Sequence, residues 1–72
     1  MKKHKILKNF GERVKKLRIA QGLSQEALGE KAGLHRTYIG SIERYERNIS
    51  LLNIERLSKA LKITPSKLID FK

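Results

Sequence analysis

The residues with the strongest chemical signature lie between Gln25 and Ile42, in the stretch QEALGEKAGLHRTYIGSI. Leu28, Ala32, Leu34, Ile39 and Ile42 fall where two short helices crossing steeply need inward apolar groups. Gly29 sits where the second helix of the pair would press on the first, and Gly33 sits at the corner. Arg36, Thr37, Tyr38, Gly40, Ser41 and Arg44 are left on the outer side of the second helix. A face poor in acids and rich in hydrogen-bonding groups suits a helix laid in the major groove of DNA.

Each of these residues has more than one use. Arg36 carries a planar fork that matches guanine O6 and N7, a contact that discriminates by about 1–3 kcal/mol. Its other use is a phosphate contact or plain solvation. Thr37 offers a methyl to thymine and a hydroxyl to a base or phosphate, or it serves as an auxiliary helix cap. Ser41, one turn further on, suits a base or phosphate contact. Tyr38 reaches a phosphate or sugar at the groove edge, or packs half-buried on the preceding helix. Arg44 and Arg47 belong to the far helix end and the loop after it, and Asn48 and Ser50 resemble phosphate binders. Gln25, at the start of its helix, combines a long amide with exposed N–H groups, which grip a phosphate or simply face solvent.

The elements that position these residues read as about five short helices with no strand, an all-α bundle. The first runs from about Leu7 to Gln21, with Leu7, Phe10, Val14 and Leu17 as its stripe and Gly22 as its stop. The second starts at the Ser24 cap, and Gly33 closes it. The third spans roughly Arg36 to Arg44, with His35, a poor capping type, at its start. The fourth begins after Ser50 and continues to about Leu61; the fifth follows Thr64 and Pro65.

Charge and size narrow the function. The 72 residues make one domain near the lower limit for folding alone, so a dimer is the simplest added support. Seventeen Lys and Arg face seven Asp and Glu, a net charge of +10, which attracts polyanions. There is no cysteine, and only His4 and His35 could offer nitrogen to zinc, so no metal site or other cofactor is expected. No metal cluster, phosphate loop or nucleophile–base pattern supports an enzyme. No apolar run approaches the ~20 residues of a membrane span, and nothing directs export, so the cytoplasm of a bacterium or its phage, close to the nucleoid, is expected. Lys2, Lys3, Lys5 and Lys8 make residues 1–8 a basic end that either follows DNA or frays. Ile49, Leu51, Leu52, Ile63, Ile69 and Phe71 exceed what one small core requires. They suggest a symmetric dimer that sets two reading helices about 34 Å apart.

From Phe10 to about Phe71 the chain resembles the Cro/phage-repressor (XRE-type) helix-turn-helix family. FGERVKKLR, GLSQEAL, AGLHRTYIGSIER, LLNIERLSKALKI and TPSKLIDF occur in that family's order. Within it, RTYI…IER followed by ERNISL is most similar to the small controller proteins of restriction–modification systems. The resemblance implies a compact five-helix bundle, a homodimer and a palindromic operator read by the third helix. It also implies a regulator of its own promoter and often of the endonuclease gene. It implies that Arg47 reaches bases from its loop, that Gln25 holds a phosphate, and that Arg18 pairs with Glu43 to fix the reading helix. It further implies that Glu26 and Glu30 are a spot where such activators touch RNA polymerase, against the plainer reading of surface acids. A phage-type repressor or an antitoxin-like module is the alternative. Departures from the family pattern are Tyr45, where a glycine often follows the third helix, Gly40 inside that helix, and Gly29 in place of a more usual alanine.

Overall fold

The computed structural model describes residues 4–71, which form α1 (Lys5–Ala20), α2 (Gln25–Ala32), α3 (Arg36–Glu43), α4 (Leu51–Ala60) and α5 (Pro65–Leu68). No strand occurs among the described residues. α1 starts slightly earlier than its apolar stripe suggests. It takes in Lys5 and Lys8, so that part of the basic end is helical; Lys2 and Lys3 lie outside the described residues.

One core joins all five helices. Phe10 and Val14 from α1, Leu28 and Ala32 from α2, Ile39 and Ile42 from α3, Leu57, Ala60 and Leu61 from α4 and its end, and Leu68 from α5 are buried together. The contributors within each helix are spaced by three or four residues, one apolar stripe per helix. Every helix start after α1 is capped by a side chain. The Ser24, Ser50 and Thr64 hydroxyls accept the Ala27, Asn53 and Lys67 backbone N–H groups at 2.9, 3.2 and 3.2 Å. His35, the unpromising type, caps α3 all the same, its Nδ1 accepting the Thr37 N–H at 3.0 Å.

Two backbone approaches set the angle of α3. At the α2–α3 corner Gly33 adopts φ 71°, and the Leu34 N–H returns to the Gly29 carbonyl at 2.8 Å. A methyl group on Gly29 would overlap the Leu34 carbonyl oxygen, so this glycine lets the two helices turn tightly. Gly11 on α1 plays the same part against the Ile42 carbonyl of α3 and the Tyr45 ring, a role its sequence context does not announce.

Tyr45 takes the left-handed conformation that its position demands, at φ 68°. The Tyr45 and Glu46 N–H groups close the end of α3 on the Ile42 and Ser41 carbonyls at 3.0 and 2.9 Å, in a Schellman arrangement. The Tyr45 hydroxyl donates to Glu12 Oε2 at 3.1 Å, and that bond raises the phenol's pKa. α4 ends in the same way, with Lys62 at φ 60°. Long contacts then close the bundle. The Arg13 guanidinium donates to the Lys67 carbonyl at 2.7 and 3.2 Å, and the Gln21 amide to the Leu61 carbonyl at 2.7 Å.

A non-glycine residue in the left-handed region is strained by about 1 kcal/mol. Lys62 is exposed, and among the described residues its side chain makes no hydrogen bond or ion pair that would offset the strain. Lys62→Gly is therefore expected to stabilise the fold by about 1 kcal/mol, raising the melting temperature by roughly 4–8 °C in thermal denaturation followed by circular dichroism.

Candidate nucleic-acid interface

α3 is anchored from behind by Ile39 and Ile42 and along one flank by a polar cluster centred on Glu43. Arg18 on α1 donates from Nε to Glu43 Oε2 at 2.7 Å and from a terminal nitrogen to Oε1 at 3.0 Å. A further Arg18 nitrogen donates to the Leu23 carbonyl at 2.8 Å. Gln25 on α2 donates to Glu43 Oε1 at 3.1 Å. The Glu43 side chain is 4% exposed, so three helices converge on a carboxylate sealed from water. The bond and charge of Glu43 raise the Arg18 pKa against the opposing effect of burial. Bidentate geometry and low exposure set this pair apart from an ordinary surface bridge.

The other side of α3 is open. Arg36 and Thr37 are exposed at its N-terminal end. Arg36 stands beside Glu26, with 3.9 Å between Nη1 and Oε2 and both side chains 64% exposed, a loose contact that leaves the guanidinium free to move. Glu26 and Glu30 are exposed on α2, and with Leu34, His35 and Arg36 they edge one shallow depression. Gln25 is half-buried, and its bond to Glu43 fixes which end of the amide faces inward. Arg44 is exposed and pairs with Glu46 at 3.3 Å. Asn48 is exposed, and the Ser50 hydroxyl is engaged as the cap of α4.

Two residues of α3 do not face outward as their spacing suggests. Ser41 is 4% exposed, and its hydroxyl donates to the Tyr38 carbonyl at 2.7 Å. It lies about 40° around the helix from Thr37, and Arg47 and Glu46 of the loop after α3 bond to it, so its hydroxyl is covered instead of standing on the open face. Gly40 is also buried, turned toward the side chains of Gln25 and Arg44. Tyr38 is half-buried against the core, with its hydroxyl accepting from Asn53 Nδ2 at 3.1 Å. Arg47 is exposed in its loop, over the Tyr38 ring at 5.2 Å from the centroid, and its Nε donates to the Ser41 hydroxyl at 2.9 Å.

The surplus apolar residues divide. Ile49, Ile69 and Phe71 line a groove of about 300 Å³ together with Ile6, Phe10 and Ile54. Leu51 and Leu52 project at the start of α4, 83% and 68% exposed. Ile63 does not line that groove; it packs half-buried against the core. Ile6, beyond the stripe used to delimit α1, is an addition to the set, 62% exposed. Among the described residues no group of acidic and histidine side chains could hold a metal ion, and no helix is long and apolar enough to cross a membrane.

The helix-turn-helix family model matches residues 14–68, which contain the α2–α3 corner and its bracing core. The chain belongs to the helix-turn-helix family. Control protein C.BamHI of Bacillus amyloliquefaciens is 51% identical over 63 residues, covering 86% of this chain and 78% of that protein. The crystal structure of the restriction–modification controller C.AhdI from Aeromonas hydrophila superposes with a TM-score of 0.84 at 52% identity, covering 86% and 94% of the two chains. SinR, the master regulator for biofilm formation, solved in complex with DNA, superposes with a TM-score of 0.80 at 37% identity over 85% and 98%. This helix-turn-helix chain thus falls among transcriptional regulators, with restriction–modification controllers prominent, and not among enzymes.

Arg18→Met leaves the Glu43 carboxylate buried beside Gln25 alone. The expected loss is about 3 kcal/mol in urea denaturation, with part of it recovered in the Arg18→Met/Glu43→Met double variant, where no charge is stranded.

Proposed function

We propose that this chain is a controller of restriction–modification gene expression. In this reading it binds a palindromic operator as a symmetric homodimer and places α3 of each copy in the major groove. The observation that carries the reading is the two-sidedness of α3: Ile39, Ile42 and Glu43 are fixed inside the bundle, while Arg36 and Thr37 stand exposed at the leading end. A helix fixed in that way presents the same fork to every base pair it meets, which is what sequence discrimination needs.

Arg36 and Thr37 read bases in this proposal, and Arg47 reads from the loop. Gln25, Tyr38, Arg44, Asn48 and Ser50 hold the DNA backbone; phosphate contacts of this kind set register without carrying sequence. Glu26 and Glu30 form the acidic spot offered to RNA polymerase. Its contact with Arg36 puts that spot at the very edge of the DNA-facing surface. Residues 1–72 act as one DNA-binding domain, and the protein works beside the DNA in the cytoplasm.

The second copy seats on the apolar groove and the projecting start of α4. Leu51, Leu52, Ile6 and Ile69 are four of the five large hydrophobic groups left exposed among the described residues, Ile19 on α1 being the fifth, and covering them with the groove removes much of the apolar surface one copy leaves in water. A palindrome also requires two reading helices, and each copy has one α3.

In a band-shift titration at fixed salt, the region upstream of its own gene should bind at least ~10³-fold tighter than shuffled duplex. Equal affinity would remove the regulator reading. Arg36→Ala should relax preference at one base pair in each half-site, whereas changes at Asn48 should weaken all sequences alike. In sedimentation at high micromolar concentration the protein should run as a dimer and Leu52→Glu/Ile69→Glu as a folded monomer; a monomeric parent protein would overturn the dimer.

A further inference from the structure

The Ser41 hydroxyl is turned inward, yet with Tyr38 and Asn53 it encloses another side chain. The Ser41 hydroxyl donates its proton to the Tyr38 carbonyl at 2.7 Å, which turns its lone pairs toward the loop. Arg47 Nε donates into them at 2.9 Å. The Arg47 guanidinium lies over the Tyr38 ring at 5.2 Å, and Asn53 Nδ2 fixes that ring through its hydroxyl at 3.1 Å. Loop, recognition helix and α4 all contribute.

What holds Arg47 is electrically neutral. Arg18, Arg36 and Arg44 each stand beside a carboxylate, at 2.7, 3.9 and 3.3 Å. Arg47 is held instead by a hydroxyl and an aromatic face, which orient the group without cancelling its charge. The bond uses Nε, and among the described residues no acceptor is paired with the terminal nitrogens Nη1 and Nη2. Those four N–H groups are the ones that make an end-on bidentate contact to a guanine or a phosphate.

We infer that Ser41 is a positioning residue for DNA recognition, which acts through Arg47 by holding its guanidinium as a preset fork on the Tyr38 ring. A loop arginine ordered before binding loses less rotamer freedom on binding, and its contact is aimed rather than averaged. The inference rests on the proposed role of Arg47 at the DNA, and the test below separates the two.

The probe is a duplex selected by this protein from a random pool, with shuffled duplex as control, read by fluorescence anisotropy at fixed salt. Ser41→Ala preserves the helix, since alanine is the better helix former. Ser41→Ala should weaken binding to the selected duplex by roughly tenfold, the worth of one hydrogen bond to a charged group, and leave shuffled-duplex binding within about twofold. Arg47→Ala should weaken it at least as much. Ser41→Ala/Arg47→Ala should be no weaker than Arg47→Ala alone, whereas Ser41→Ala/Arg36→Ala losses should multiply. Ser41→Cys, which keeps a small group there with a poorer acceptor, repeats the cycle if Ser41→Ala melts early. No effect of Arg47→Ala would overturn the role of Arg47 itself. An Arg47 effect with Ser41 losses that simply multiply onto it would overturn the positioning role. Tighter binding by Ser41→Ala would overturn it too, because the bond would then be a brake.

Discussion

An eight-residue helix does not hold its shape in water. α3 must therefore borrow its rigidity, and the rest of the bundle supplies it. Ile39 and Ile42 anchor the rear of α3 in the core. The Glu43 carboxylate ties its last turn to α1 through Arg18 and to α2 through Gln25. His35 caps its first turn, and the left-handed Tyr45 closes its last. Little freedom remains, and what stays exposed at the front is an arginine and a threonine.

The Glu43 cluster also connects the candidate phosphate-holding side chain to the reading helix. Gln25 and Arg18 share one carboxylate, so a shift of α3 would move the Gln25 amide as well. In the proposed reading, backbone grip and base reading are in this way parts of one rigid piece. Arg47 is organised differently: neutral partners hold it, and its charge stays available. Surface charges at α2, where Glu26 faces Arg36, are the loosest part of the same face.

Much of this was legible in the residues. Ser24, Ser50 and Thr64 with Pro65 fixed helix starts because a hydroxyl acceptor before an apolar stripe has few other uses. The inward set Leu28, Ala32, Ile39 and Ile42 followed from spacing, and all four are buried. The pairing of Arg18 with Glu43 came from family resemblance; no spacing rule links residues 25 positions apart. Ser41 and Gly40 were misplaced because helical spacing fixes an angle around the axis and says nothing of what covers it: the loop folds back on Ser41, and the Gln25 and Arg44 side chains close over Gly40. Gly11 was missed because close approach between helices depends on where the partner backbone runs. Ile63 packs half-buried against the core as Ile49 and Phe71 do, and differs from them only in not lining the groove.

The central claim is that a braced α3 reads bases from the major groove, twice per operator. Guanine N7 lies in that groove, and its protection from methylation by dimethyl sulfate reports occupancy there directly. The account predicts N7 protection at two symmetric positions about one helical turn apart, in a complex of two copies with one duplex. Protection confined to adenine N3 in the minor groove, or spread evenly along the duplex, would contradict it.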